Sequence, residues 1–325
     1  MTTALPATLA TTGVADPVQA LGAGTQQPLP DLQACIGEFL RRIVPNTAAY
    51  MAARAAATRI AADLRAELYR EPQPNTAESD HMVAGSVGKL TAIAPITTVD
   101  LLFVLPPKLG ISKPGDALKT AWAVLKSKHA GARISDDQTA VLVNDSDATA
   151  RVLPCLPREG AFLVPGPDQW SLSNPIAEAA TLRLMDTMYG NRPRLLMAVL
   201  KAWRLHNAVP ISAYALELLA QDFYSSAPRP QDIATALADF WAWAKKRTPA
   251  TLKTPGASTA VTVDAAWHGK AKAAYWRVTL AQSHVMQKKM ADAAKEWREL
   301  VGPLFPLPGE TVGALPAHSE NPGSA

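Results

Sequence analysis

Gly85, Ser86 and Asp100 are the residues whose types and spacing point most directly to chemistry. The run from Gly85 to Pro106, GSVGKLTAIAPITTVDLLFVLP, reads as a glycine-serine turn, a short polar connection and an apolar strand with one carboxylate. Glycine lets the backbone come close to a phosphate, and a serine hydroxyl with neighbouring N–H groups can donate to it. A Gly-Ser pair alone is an ordinary turn; its weight here comes from the strand behind it. Asp100 stands alone on that strand, because the position two residues before it is Thr98.

Other acids offer no second carboxylate cluster. Asp145 and Asp147 lie in Asn144-Asp145-Ser146-Asp147, a turn composition at the tip of an expected hairpin. Glu78 and Asp80 precede the first strand and read as a solvated loop. His81, His206, His268 and His284 have no metal-ligand spacing, and Lys89 reads as a surface lysine. Cys35 and Cys155 are far apart, which argues for a reducing compartment and against a disulfide scaffold or a cysteine-based zinc site.

A chain of 325 residues has room for one large or two smaller domains. A hydrophobic content of 48% with 18% charged residues is that of a folded chain, not a disordered one. The net charge of +4 is mild and its basic residues are dispersed, so a phosphate-bearing ligand suits it better than a nucleic acid. No apolar run is long enough for a membrane span and residues 1–30 lack the pattern of a signal peptide, so the expected location is cytoplasmic.

The elements that must position these residues follow from caps, breakers and periodicity. Residues 1–30 are expected to be disordered. Asp31 caps a helix to about Val44, where Pro45 stops it, and Asn46 caps a second to about Tyr69. His81–Ala84 and Val99–Leu105 read as strands, the latter buried on both faces. A helix over 117–128, a hairpin of 139–143 with 148–155 and a strand at 161–164 come next. From Asn174-Pro175 the chain reads as helices at 176–189, 193–206, 211–225, 230–246 and 268–300. Trp203, Trp241, Trp243, Trp276 and Trp297 fall inside helices and read as core.

From Thr91 to Pro106 the chain resembles, position by position, the cGAS/DncV-like nucleotidyltransferases, bacterial enzymes that make cyclic di- and trinucleotide signals in anti-phage defence. Their pattern is Gly-Ser, Thr-x-Ile-x-Pro, then Asp-x-Asp on an apolar strand ending near Leu-Pro. Further matches lie in Val152-Leu153-Pro154-Cys155, Trp170-Ser171-Leu172-Ser173-Asn174-Pro175, Leu200-Lys201-Ala202-Trp203, Ile211-Ser212-Ala213-Tyr214-Ala215-Leu216-Glu217, and Trp297 with Leu304-Phe305-Pro306. The resemblance runs from about Asp31 to Pro306. It implies an α+β fold: a polymerase beta-like core lobe with a small mixed sheet over 31–173, a helical lobe over 174–307, a cleft between them and a flexible tail over 308–325.

The resemblance also implies a site. Two divalent ions, Mg²⁺ or Mn²⁺, would be held by three carboxylates while nucleoside triphosphates are joined. The first acid maps to Thr98, the second to Asp100 and the third, three residues before Pro154, to Arg151. Asp100 is then the sole remaining catalytic or metal-binding acid: either it holds a metal weakly through the ligand's own phosphates, against the Arg151 charge, or Arg151 pairs with it and replaces the metal. Gly85, Ser86, Lys201, Ser212 and Tyr214 map to nucleotide and phosphate contacts, Tyr214 as a stacking platform. The leading expectation is a catalytically impaired nucleotidyltransferase that binds a nucleotide or a defence-system protein. An active synthase with an unusual metal site and an empty-cleft scaffold are the alternatives. Some members of the family are conjugated through a small-residue C-terminus, with which Gly323-Ser324-Ala325 is compatible; a plain disordered tail is the simpler reading.

Overall fold

The computed structural model describes residues 31–69, 80–226, 232–247, 250–257 and 259–310. Expectations for residues 1–30, Glu78 and the tail from 311 onward lie outside the described residues.

Two caps begin the first helices where the sequence puts them. The Asp31 carboxylate accepts from Ala34 N at 2.9 Å to open α1 (Leu32–Ile43), and Asn46 accepts from Ala49 N at 2.9 Å to open α2 (Thr47–Leu68). Tyr50, Ala53, Ala57, Ile60, Ala61 and Leu64 form the buried stripe of α2 at helical spacing. Its alanines let the helix lie close against the sheet.

That sheet is built on β2 (Thr98–Val104), which pairs antiparallel with β1 (His81–Ala84) and parallel with β5 (Thr149–Arg158). Beyond β5 come β4 (Val141–Asn144) and the short β3 (Arg133–Ile134), giving the order β1-β2-β5-β4-β3. The far half of β5 leaves β4 and pairs with β6 (Ala161–Pro165), which pairs with β7 (Trp170–Ser173). Alternation along β2 sends Val99, Leu101 and Phe103 into a core with α2 and with α4 (Pro114–Lys128). Leu102 and Val104 face the opposite side, with Phe162 and Val164. Asp100 shares the parity of Leu102, so its carboxylate emerges on the side opposite α2.

The helical lobe comprises α5 (Pro175–Tyr189), α6 (Arg192–His206), α7 (Ala213–Ser226), α8 (Ile233–Ala244), α9 (His268–Met286) and α10 (Met290–Val301). Trp203 packs on Trp241 with ring centroids 4.5 Å apart, and Trp297 stacks on Phe305. The apolar residues of α1 join this core rather than the sheet core, with Phe39 against Phe305. The first helix in sequence is thus packed with the last lobe.

Three expectations change. The span 268–300 is two helices, because Lys288 takes a left-handed φ of +59° and turns α10 back onto α9. No proline or glycine marks that break; Ala293, Ala294 and Trp297 reach the core only if the chain reverses there. Trp276 is 67% exposed rather than core. A hairpin of β8 (Ala250–Lys253) and β9 (Ala260–Val263), unexpected from the sequence, closes one edge of the lobe.

Candidate functional site

The two lobes meet at a cleft of ≈ 560 Å³. Volumes of roughly 300–1,000 Å³ hold small-molecule ligands. From the sheet lobe it is lined by Gly85, Ser86, Lys89, Thr98, Asp100 and Arg151; from the helical lobe by Glu178, Lys201, Arg204, Tyr214 and Glu217.

Register explains the sheet side. Ala84 lies opposite Asp100 in the β1–β2 pair, so Gly85 follows directly beside the carboxylate. Gly85 to Lys89 is not a turn plus connection but a short helix, α3 in spatial terms wedged between β1 and α5. Gly85 has φ +58°, and a Cβ there would stand 1.9 Å from Asp100 Oδ2. Only glycine fits both the conformation and the close approach. Gly85→Ala is therefore expected to destabilise the fold by about 1–3 kcal/mol, read as a lowered Tm, with Ser86→Ala as an unaffected control. An unchanged Tm in Gly85→Ala would mean that the Asp100 carboxylate does not sit on this backbone.

Asp100 is opposite Arg151 across the parallel β2–β5 pair. Arg151 Nη1 donates to Asp100 Oδ1 at 3.3 Å, and Nη2 donates to Thr139 Oγ1 at 3.5 Å. Burial pushes the Asp100 carboxyl above its ordinary range, while Arg151 and then Lys89 pull it back. Thr98 is exposed at the cleft edge. A divalent ion does not fit this donor set. Asp100 is the one carboxylate of the three mapped positions, and among the described residues no three His, Cys, Asp or Glu side chains converge. Arg151 sets a fixed cation where a metal would have to lie, a repulsion of about 4 kcal/mol per unit-charge pair at ~4 Å and an effective dielectric of ~20.

The helical side is a buried charge network that the sequence reading missed. Lys201 donates to Glu217 Oε1 at 2.5 Å and to the Thr91 carbonyl at 2.6 Å. Lys89, expected at the surface, is buried and pairs with Glu178 and with Glu217 Oε2, both at 2.7 Å. Thr91 Oγ1 donates to Glu217 at 2.6 Å. Burial disfavours the Glu217 charge, but Lys201 and Lys89 outweigh it and hold its pKa down to about 2. The same two glutamates raise Lys89 against its own burial. Glu217 ends the 211–217 segment, yet nothing local in the sequence places it against lysines from two other helices.

The remaining expected contacts divide. Tyr214 lines the cleft with Lys89 Nζ 4.5 Å over its ring, and burial followed by Glu178 raises its hydroxyl well above the usual tyrosine range. Lys201 borders the cleft, but its ammonium is committed to Glu217 and Thr91. Ser212 is not brought to the cleft lining; its Oγ accepts from Ala215 N at 3.0 Å and caps α7. Asp145 and Asp147 stay at the hairpin tip, both paired with Arg59. Asp80, expected on a solvated loop, is buried and paired with Arg65 and with His81 at 2.8 Å. Those partners overcome its burial and hold its pKa down to about 2.

No protein-family model matches this sequence, and no curated protein matches it either. Solved structures do match its fold. The E. coli MS115-1 CdnC:HORMA-deltaN complex aligns with TM-score 0.65 and 13% identity over 85% of this chain and 98% of that one. E. coli MS115-1 CdnC with ATP aligns with TM-score 0.64 and 14% identity over 87% and 100% of the two chains. Escherichia coli DncV in its 3'-deoxy GTP bound form aligns with TM-score 0.57 and 13% identity over 84% and 89%. A mixed sheet lobe, a helical lobe and a cleft between them thus give this chain the nucleotidyltransferase fold shared by CdnC and DncV.

Proposed function

We propose that this protein binds a nucleotide in its inter-lobe cleft and does not catalyse nucleotidyl transfer. The observation that carries the reading is the Asp100–Arg151 ion pair at two of the three positions where the resemblance calls for metal-binding acids. Metal catalysis of phosphoryl transfer needs carboxylates that hold the ions and leave their charge free to neutralise the transferring phosphate. Asp100 here is bound to an internal guanidinium instead. Gly85, Ser86 and Tyr214 line the cleft, which supports a ligand there.

The similar structures support the ligand class, since one holds ATP and another a GTP analogue. CdnC in complex with a HORMA protein supports a second element of the proposal: a protein partner in a bacterial defence system, through which nucleotide occupancy is read out. Among the described residues no helix is long and apolar enough to cross a membrane. The proposed setting is the bacterial cytoplasm, with nucleic acid not a ligand.

The test is incubation of the purified protein with labelled ATP, GTP, CTP and UTP plus Mg²⁺ or Mn²⁺, following both binding and product. Binding without product is expected. Product that disappears in Asp100→Ala would sink the reading in favour of an active synthase, and absence of any binding would leave a scaffold acting through protein contacts alone.

A further inference from the structure

We infer that the cleft accepts a nucleotide bearing a single phosphate, with the Arg151 guanidinium serving as the phosphate's cation in place of a divalent metal. This rests on the nucleotide-cleft reading above and specifies its ligand.

The charges lining the cleft lead there. Four cations face it, Lys89, Arg151, Lys201 and Arg204, against three acids, Asp100, Glu178 and Glu217. The two lysines are neutralised from within. Lys201 spends its donors on Glu217 and Thr91, and Lys89 on Glu178 and Glu217. Drawing either lysine onto a ligand would strand a buried glutamate, which costs several kcal/mol. The lysines are therefore poor grips for a phosphate chain.

Arg151 differs. Its contacts to Asp100 and Thr139 are long, 3.3 and 3.5 Å, the exposed Asp137 carboxylate stands 4.0 Å away, and its side chain is 36% exposed. A guanidinium has five donors in a planar fork that suits two phosphate oxygens. Asp100 uses part of that fork, and its negative charge limits how much more the site tolerates. A phosphate monoester brings about −1.5 to −2 charge, and a phosphodiester less. Lining charge that sums to one excess cation matches a phosphodiester and offsets about half of a monoester's charge. A triphosphate stripped of its metal carries about twice the monoester charge, and this donor set does not hold the ion that would offset it. The shared chemistry is one phosphate attached to a nucleoside, whether a free monophosphate or a phosphodiester.

Titration calorimetry on the full-length protein separates the outcomes. The probes are AMP, GMP, CMP and UMP, the corresponding dinucleoside monophosphates, and the four triphosphates, each in EDTA and in Mg²⁺. A one-phosphate nucleotide is expected to bind in EDTA with a Kd that Mg²⁺ leaves unchanged, and about tenfold or more tighter than its triphosphate in EDTA. The two one-phosphate arms identify which form is preferred. Arg151→Ala is expected to weaken binding about tenfold, the loss of charge-assisted hydrogen bonds, and Arg151→Lys less. Melting curves confirm that each variant is folded, and the EDTA comparison on the unaltered protein needs no variant. Binding of triphosphates that requires Mg²⁺ would overturn this inference and leave the nucleotide reading standing. No binding of any nucleotide in either buffer would overturn the nucleotide reading itself. A folded Arg151→Ala protein with unchanged Kd would remove Arg151 from the site.

Discussion

Glu217→Ala is expected to cost about 3–5 kcal/mol of stability, the loss associated with breaking a buried ion pair from one side. Lys201 and Lys89 would both remain buried, and the Thr91 hydroxyl would lose its acceptor. These groups come from α6, from the helix after β1 and from the connection to β2, so the loss loosens the junction between lobes. Urea unfolding measures it. A double variant, Glu217→Gln with Lys201→Met, is expected to recover part of the loss, because replacing both members of a buried pair leaves one fewer stranded charge. The pH dependence follows from sign. Glu217 has a folded pKa lowered to about 2, so it favours the folded state fully above the ordinary carboxylate range of about 4.5 and loses that contribution as pH falls through about 2. Asp80 acts in the same direction over the same acid range. A cost below about 1 kcal/mol for Glu217→Ala, the level of an exposed pair, would mean that solvent reaches this network.

Thr98→Asp combined with Arg151→Asp is expected to create saturable Mn²⁺ binding beyond any shown by the unaltered protein. The substitutions place carboxylates at 98, 100 and 151, and β2–β5 register holds 100 and 151 side by side. Removing a repulsion of about 4 kcal/mol corresponds to a gain of more than about a hundredfold in metal affinity. Manganese electron paramagnetic resonance reads this without any assay of activity, and labelled triphosphates then show whether product appears. Arg151→Asp alone is expected to gain less, since Thr98 remains a weak ligand. If the natural protein binds Mn²⁺ saturably and Asp100→Ala abolishes it, the ion-pair account of the site fails.

Much of the fold was legible because its signals are local. Asp31 and Asn46 cap the helices that they head, and Pro45 separates them. The apolar run around Asp100 is buried on both faces, as its composition requires. The helix break at Lys288 and the exposure of Trp276 were not legible. Helical periodicity continues through both positions, and what decides them is which face finds a partner in the folded core. Lys89 and Asp80 misled for a related reason: a charged residue beside a turn reads as solvated until its distant partners are known.

The lobe order and the buried strand with a lone Asp100 are written in caps, breakers and apolar runs, and the resemblance maps Thr98 and Arg151 to positions of metal-binding acids. The first two are matters of residue type and spacing along one chain. How those residues act on one another follows from the packing. Parallel pairing of β2 with β5 joins Asp100 to Arg151 across 51 residues of chain, and packing of α3, α5, α6 and α7 turns Lys201, a candidate phosphate contact, and Lys89, expected at the surface, into an internal network with Glu178 and Glu217. Charge compensation depends on distance and burial in space, neither of which a linear spacing specifies.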